Sequence, residues 1–485
     1  MSEIAEVQDA LSRAEQKASP LYAGRVRVHP KSVSGTFRRV KWTVLAVLLA
    51  LYYVAPWIRF DRGPGAPGQA ILADFETRRI YFFWIEIWPQ EVYYLTGLLM
   101  LAAFGLFLAT ALFGRLWCGF ACPQTVWTDL FMWVERLIEG DRAQRIRLDA
   151  APWSADKLRK RALKHAAWLV IAAATGGAWI MYFNDAPTVV RELVTGQAGF
   201  SVYFFFGLFT FTTYLLAGHA REQVCTYMCP WPRIQGALVD QDTLAVSYET
   251  WRGEPRGKYR RGESFAGRGD CIDCRQCVAV CPMGIDIRDG FQLECIGCGL
   301  CIDACDDVMA KIGRPLKLIS YDSERNLERR ARREAPLFRL VRPRTVLYAG
   351  VLGVVASVML AVLALRETTD VNVLPERNPL FVQLADGGIR NGYTFKILNK
   401  ERQPRTYELS VEGLAGARLL RAGDQAERGT LLLDAPPDGV GTHRIYLKVP
   451  REAVAGEVQE VGFVLVDAVT GQTRRVASTF RGPRR

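Results

Sequence analysis

The run Cys271-Ile272-Asp273-Cys274-Arg275-Gln276-Cys277-Val278-Ala279-Val280-Cys281-Pro282 is followed shortly by Cys295-Ile296-Gly297-Cys298-Gly299-Leu300-Cys301-Ile302-Asp303-Ala304-Cys305-Asp306. Each quartet reads C-x-x-C-x-x-C-x-x-x-C. In that spacing each 4Fe–4S cube takes three thiolates from one run and its fourth from the other. Cys271, Cys274, Cys277 and Cys305 would hold one cube, and Cys295, Cys298, Cys301 and Cys281 the second. A zinc site needs only four ligands and favours C-x-x-C pairs set far apart. A disulfide framework spreads its cysteines through a small secreted domain. Two tight quartets fit neither. Two neighbouring cubes conduct single electrons, so the chain is expected to move electrons. Pro282 gives Cys281 the usual C-P ending. Asp306 stands after Cys305, which alters the local turn but not the ligand count.

Working outward, the 485 residues are half hydrophobic, and the apolar ones are gathered in blocks. Five stretches, Val40–Ile58, Val92–Phe113, His165–Phe183, Gly199–Gly218 and Thr345–Leu365, approach the ~20 residues a helix needs to cross a bilayer. The first 38 residues are polar and charged, so no cleavable signal peptide is expected there. Lys and Arg number 8 in 1–41, 10 in 114–164 and 21 in 219–344, against 4 in 59–91 and 1 in 184–198. Basic residues of short loops collect on the cytoplasmic side. The N-terminus and the cluster region are therefore expected inside, and the C-terminal domain outside. The net charge of +12 is explained by this sidedness, and no nucleic-acid recognition motif is present. All twelve cysteines lie between 118 and 305, which suits thiols on a reducing face and a tail in an oxidising space.

The expected fold class is an integral membrane α-helical protein with about five transmembrane helices. It carries an inserted two-cluster ferredoxin-like α+β module and a C-terminal all-β immunoglobulin-like sandwich. Its parts are a mobile cytoplasmic arm (1–39), a four-helix membrane core (40–239), the ferredoxin-like domain (240–320) and a basic linker (321–344). A fifth transmembrane helix (345–365) and the β-rich domain (370–485) complete it. Within 59–91 a turn-rich piece precedes the aromatic residues Tyr81, Phe82, Phe83, Trp84, Trp88, Tyr93 and Tyr94, which read as an interfacial belt. In the tail, Tyr393–Leu398, Thr406–Val411, Thr430–Leu433, Arg444–Val449 and Val461–Val466 read as strands between turn signals, about seven strands in all. His443 reads as a surface strand position. No G-x-G-x-x-G follows a strand and no flavin motif is present, so no nicotinamide or flavin site is expected in this chain; a soluble reductase, a ferredoxin and the quinone pool stay open as electron donors.

Four cysteines lie outside the quartets, in Cys118-Gly119-Phe120-Ala121-Cys122-Pro123 and Cys225-Thr226-Tyr227-Met228-Cys229-Pro230. Both motifs follow an apolar helix at the basic boundary. On a helix, positions i and i+4 share a face, so each pair is expected to present two sulfurs together. Four such thiolates could meet in one site, and soft sulfur selects Cu(I), zinc or iron–sulfur centres. Met228 lies inside the second motif, and His165 and His219 near the same boundary. For these two histidines a contact to headgroups or backbone is the plainer reading.

The stretches Gly114–Trp127, Arg221–Trp231 and Glu294–Asp306 resemble the CcoG/FixG/RdxA family of cytochrome oxidase accessory proteins. The similarity extends to Asp61–Pro67, Ile85–Leu98, Glu139–Arg142 and the β-rich tail. The resemblance implies a bacterial inner-membrane, multi-pass protein with a cytoplasmic ferredoxin domain and a periplasmic immunoglobulin-like domain. It implies reduction of Cu(II) to Cu(I) for copper delivery and assembly of the cbb3-type oxidase. Copper chaperones or transporters and the oxidase assembly machinery would be the partners, within membrane lipid. Cys118, Cys122, Cys225 and Cys229 match the family's C-x-x-x-C-P positions, and the copper role is carried to them by that match. Asp306 also fits the family. Quinol dehydrogenases of the NapH type share the membrane core and would pass quinol electrons through the clusters without copper. A non-enzymatic assembly scaffold is a third alternative.

Overall fold

The computed structural model describes residues 27–483 apart from 64, 261 and 425. Most of the expected arm 1–39 therefore lies outside the described residues. The described residues fall into two compact units, one ending at Met359 and one from Leu360 onward that also takes in Asp61–Ala66.

The larger unit opens with α1 (Thr36–Val54), then a small antiparallel meander of β1 (Ile71–Asp74), β2 (Arg79–Phe82) and β3 (Ile85–Ile87). Next come α2 (Tyr93–Phe113), α3 (Leu116–Phe120), α4 (Pro123–Glu139), α5 (Arg142–Ala150), α6 (Ala155–Met181), α7 (Ala186–Thr195) and α8 (Phe200–Thr213). Helix α8 continues as a π-helical turn, Tyr214–Ala220; a second, Val224–Met228, precedes α9 (Trp231–Leu238). The cluster region holds β4 (Ala245–Tyr248), α10 (Gln276–Val280), α11 (Leu300–Lys311) and β5 (Ile319–Asp322). Then follow α12 (Glu324–Ala331) and α13 (Pro343–Ala364).

Among the described residues four helices are long and apolar enough to cross a bilayer: Thr36–Trp57, Pro89–Phe113, Phe200–Ala220 and Pro343–Ala364. They are apolar nearly all round, as lipid-facing helices must be. The fifth expected stretch, 165–183, lies mostly in α6, and the structure treats it differently. The first half of α6 carries Lys157, Arg159, Lys160, Arg161 and Lys164, and its second half is buried against α8. There a Cβ on Gly176 would come within 2.9 Å of the Thr210 nitrogen, so the small residue permits close helix contact. The aromatic part of 59–91 folds as the β1–β3 meander instead of a simple interfacial segment. Tyr81 and Trp88 turn inward, while Phe82 and Trp84 stay exposed.

The described residues just before α1, 27–35, are held against the rest of the larger unit. Lys31 N–H donates to the Ala279 carbonyl (2.8 Å), and Ser32 donates through N–H and hydroxyl to Asp141 (2.9 and 2.7 Å). At the start of α1, Phe37 and Arg38 donate their backbone N–H groups to the Asp303 carboxylate at 3.1 and 2.8 Å. Asp303 belongs to α11, between Cys301 and Cys305, yet it caps the first apolar helix. The first N–H groups of a helix have no internal partner, and the helix dipole favours an anion there. Strands β4 and β5 pair antiparallel and close the two ends of the cluster region. Asp306 accepts from the Lys317 N–H (2.7 Å), so the residue in place of proline holds the chain after α11.

The smaller unit is a two-sheet antiparallel sandwich. Its strands are β6 (Thr369–Pro375), β7 (Val382–Gln383), β8 (Ile389–Asn399), β9 (Arg405–Glu412), β10 (Arg418–Arg421), β11 (Leu431–Ala435), β12 (Gly439–Val449), β13 (Val458–Asp467) and β14 (Thr473–Arg481). One sheet runs β10-β12-β8-β6 with β7 beside β8; the other runs β11-β9-β13-β14. Ile389, Tyr393, Phe395 and Ile397 alternate inward along β8, and Phe463 on β13 meets Tyr393 and Phe395 edge-on at 4.9 and 5.0 Å. The five expected strands fall in β8, β9, β11, β12 and β13. Strands β6, β7, β10 and β14 raise the count above the seven expected. His443 sits on β12, its Nε2 2.8 Å from the Asp434 carbonyl oxygen.

The Asp303 cap makes a direct prediction. Asp303→Ala leaves two amides of α1 without their acceptor and is expected to cost about 1–2 kcal/mol, as for a lost helix cap. Thermal unfolding of the detergent-purified protein, followed at the larger unit's tryptophans, reads the loss. An unchanged midpoint would mean that the cap does not hold the cluster region to α1.

Candidate electron-transfer and metal site

The two cysteine quartets wrap the ends of α10 and α11. Cys281 ends α10 in extended backbone because Pro282 follows it. Gly299 caps α11 with φ +71°, and a Cβ there would lie 2.7 Å from the Phe37 ring, so glycine is required on both counts. The Phe37 ring lies 5.3 Å from that of Tyr321, whose hydroxyl donates to the Gly297 carbonyl. The thiols of the two quartets are close enough to act on one another. Burial, then Cys277, Cys271 and Cys274, push the Cys305 thiol upward. Burial, then Cys298, with Cys295 further down, push Cys281 up to about 12. Cys274 is the exposed member of the set, while Cys271, Cys277 and Cys298 are buried.

These residues fit 4Fe–4S clusters. An apolar cavity is lined by Cys277, Cys281, Cys295, Cys298 and Cys301. Burial raises Cys277 and Cys295 to about 11, so the thiols stay protonated until a metal cation displaces the protons. Among the described residues no group of three or more His, Cys, Asp or Glu is already gathered around a single metal ion, and this holds for Cys118, Cys122, Cys225 and Cys229 as well as for the quartets. One zinc gathers its sulfurs at about 2.3 Å around a point, whereas a cube spreads its ligands over separate irons.

The second cysteine set departs from the expected continuous helix. Cys118 lies in α3, but Cys122 is the extended N-cap of α4, because Pro123 opens that helix at its first position. Cys225 lies in the second π-helical turn, and Cys229 ends it in extended backbone before Pro230. Each proline thus breaks the helix between its two cysteines and the next helix. The four thiols are nevertheless electrostatic neighbours. Burial, then Cys122, Cys118 and Cys229, raise Cys225 to about 12. Burial raises Cys118 to about 11, with Arg115 opposing and Cys122 and Cys229 adding. Cys118 Sγ donates to Gln235 Oε1 at 3.3 Å, and Arg115 Nε donates to the same oxygen at 2.9 Å.

This set lies directly against the second quartet. A Cβ on Gly119 would come 2.8 Å from the Gly297 oxygen, 2.9 Å from the Ile296 oxygen and 3.0 Å from Cys298 Cα. Cys118 shares a buried apolar cluster with Ile296, Cys298 and Leu300. Arg115 also donates to the Leu293 carbonyl. Gly119, Arg115, Gln235 and Asp303 were not singled out from sequence. A glycine between two cysteines was the one visible signal. His165 and His219 are brought to each other, with rings stacked 5.8 Å apart, and Tyr214 Oη lies 2.9 Å from His165 Nδ1. Met228 is 64% exposed.

A buried ionic hub braces the same layer. Glu135 on α4 binds Arg145 of α5 (2.6 Å), Lys164 of α6 (3.8 Å) and Arg221 between the π-helical turns. Burial works to raise the Glu135 carboxyl, but Arg221, with Arg145 and Lys164, holds it below the usual 4.5. A carboxylate held low in the folded state contributes stability that is present above its unfolded pKa and lost as pH falls through its folded one. Glu135→Gln leaves buried cations unpaired and is expected to cost about 3–5 kcal/mol at pH 7. Urea unfolding at pH 7 and then at successively lower pH should show the gap to the parent protein shrinking on acidification. A gap constant with pH would exclude the ionised carboxylate as its source.

Comparison with known proteins adds the following. A family model described as "4Fe-4S dicluster domain" matches residues 220–324, and one described as "4Fe-4S binding domain" matches 95–140. A model of the "IG-like fold at C-terminal of FixG" matches 359–483. The chain is similar to nitrogen fixation protein FixG of Rhizobium meliloti, 49% identical over 93% of this chain and 92% of that protein. It is similar to protein RdxA of Cereibacter sphaeroides, 48% identical over 96% of this chain and 100% of that one. Ferredoxin-type protein NapH of Escherichia coli is 24% identical over 40% of this chain and 60% of its own. A solved FixG-related protein from Vibrio parahaemolyticus is 24% identical with a TM-score of 0.20, covering 24% of this chain and 96% of its own.

Proposed function

The chain is an iron–sulfur protein of the FixG, RdxA and RdxB family, and from that premise we propose that it reduces Cu(II) to Cu(I) for copper delivery to, and assembly of, a cbb3-type cytochrome oxidase. When bound, each cube supplies a store for one electron. Cys271, Cys274, Cys277 and Cys305 hold the first, and Cys295, Cys298, Cys301 and Cys281 the second. Cys118, Cys122, Cys225 and Cys229 receive the copper substrate. Their soft thiolates favour Cu(I) over Cu(II), which makes addition of the single electron easier.

The observation that carries this reading is the seat of Gly119 on the Ile296–Cys298 backbone, which brings the two cysteine sets into direct contact. Arg115 and Gln235 hold Cys118 in place, and Ile296, Cys298 and Leu300 bury it in an apolar cluster. In this reading the protein is a multi-pass inner-membrane protein, with α6 as a fifth span beside the four apolar helices. The basic loops place the N-terminus and cluster region in the cytoplasm and the sandwich in the periplasm. Copper chaperones or transporters and the oxidase assembly machinery are its partners.

Replacing Cys118 and Cys122, or Cys225 and Cys229, by serine should abolish Cu(II) reduction by the anaerobic, dithionite-reduced protein while its iron content stays intact. Cys298→Ser should lose both. Gly119→Val should keep the iron and slow copper reduction on the order of a hundredfold, the cost of about an ångström of misplacement. Serine variants that reduce copper at the parent rate would move the copper site elsewhere and favour quinol-linked electron transfer of the NapH kind. For topology, reporter fusions after residues 150, 190, 300 and 480 should read in, out, in, out. A cytoplasmic reading at 480 would remove either the α13 span or the sidedness.

A further inference from the structure

We propose that the start of α1 and the end of α4 form a binding site for the phosphate of an anionic phospholipid headgroup. A cavity of about 730 Å³ lies there, and its lining includes Arg38, Arg39, Ser34, Trp42, Trp133 and Arg136. None of its lining residues is acidic. Arg38 is already committed, since its guanidinium holds Asp129 at 2.9 and 3.0 Å. Neither Arg39 nor Arg136 has a carboxylate within salt-bridge distance among the described residues; Asp129 and Asp141 act on Arg136 only from further off, and Arg136 Nε is buried without a hydrogen-bond partner. A buried guanidinium donor without an acceptor is costly, and a phosphate oxygen is the acceptor its planar fork matches best.

The position selects the source of that phosphate. Helix α1 begins the first apolar segment, Thr36–Trp57, so its first turn stands where headgroups lie. The Trp42 and Trp133 rings meet edge-on at 6.1 Å on the cavity wall, and tryptophan concentrates at the membrane–water boundary. Basic residues set at the cytoplasmic end of a membrane helix attract anionic headgroups. The site adjoins Gly35 and Arg38, beside the Asp303 cap, so a bound headgroup would sit where the cluster region meets the bilayer. The inference rests on reading α1 as a membrane span.

The test uses the full chain purified in mild detergent and returned to nanodiscs. Binding of phosphatidylglycerol is measured by native mass spectrometry, with phosphatidylcholine and inorganic phosphate as competitors. The parent protein should retain phosphatidylglycerol against both. The Arg39→Gln, Arg136→Gln double variant should bind it roughly 30-fold more weakly, about fivefold for each juxtamembrane charge removed. Arg159→Gln removes an exposed charge elsewhere and should change little; an equal loss there would overturn the site. Displacement by millimolar inorganic phosphate would assign the pocket to soluble phosphate and overturn the lipid assignment. Arg39→Lys with Arg136→Lys, folded and iron-replete, should recover part of the binding if the double Gln variant fails to fold. A membrane-embedded chain whose lipid retention survives both double variants defeats the site alone. A chain recovered from the soluble fraction without detergent defeats the span reading and the site together.

Discussion

Asp303 is where the two halves of the larger unit become one object. Its carboxylate accepts the first free amides of α1, a place where a helix dipole and unmet donors both call for an anion. Because Asp303 sits between Cys301 and Cys305 on α11, the cap fixes the cluster loops in register with the first apolar helix. Gly35 and Gly299 are small for this reason. A Cβ on Gly35 would collide with the Asp303 side chain, and one on Gly299 would strike Phe37. On the same module the Ile296–Cys298 backbone meets Gly119.

A layer of buried charges keeps that seat rigid. Asp129 binds Arg38 and Lys41 of α1; Glu135 binds Arg145, Lys164 and Arg221; Glu139 binds Arg161 and Lys164. Removing such groups from water costs several kcal/mol each, and mutual attraction repays it only with good geometry. The layer therefore adds little net stability over an apolar one. It does join α1, α4, α5 and α6, and a slip of any of them would leave a buried charge alone. Arg221 shows the same logic in its backbone. It adopts φ +46° between two π-helical turns, a strained state for arginine, and its bonds to Glu135 and the Gly218 carbonyl hold it there. Those turns deliver Cys225 and Cys229 to the site.

Features with a fixed chemical period were legible before the structure. The cluster cysteines, the four most apolar helices and the inward-alternating strands β8, β9, β12 and β13 all carry such a period. Strand β14 was missed because it is an edge strand. Arg474, Arg475 and Thr479 interrupt any apolar alternation, as edges require. The meander β1–β3 was hidden by its aromatic content, since Tyr81 and Trp88 fit an interfacial belt equally well. The continuous helix expected through Cys118 and Cys122 failed because the residue before a proline is pushed out of the helical region. Asp303, Arg115 and Gln235 could not be found at all by spacing. Their partners lie far away in sequence, and a single Asp or Gln has no period.

The account turns on electrons passing from the ferredoxin-like module to copper at the Cys118–Cys229 thiols. A single-turnover mixing experiment tests that most directly. Iron-replete protein, reduced anaerobically and freed of reductant, is mixed with excess Cu(II), while the cluster absorbance and Cu(I) are followed together. The account predicts that the clusters reoxidise as Cu(I) forms, with about two Cu(I) per chain, one for each cube. Clusters that stay reduced in the presence of Cu(II), with no Cu(I) formed, would contradict it.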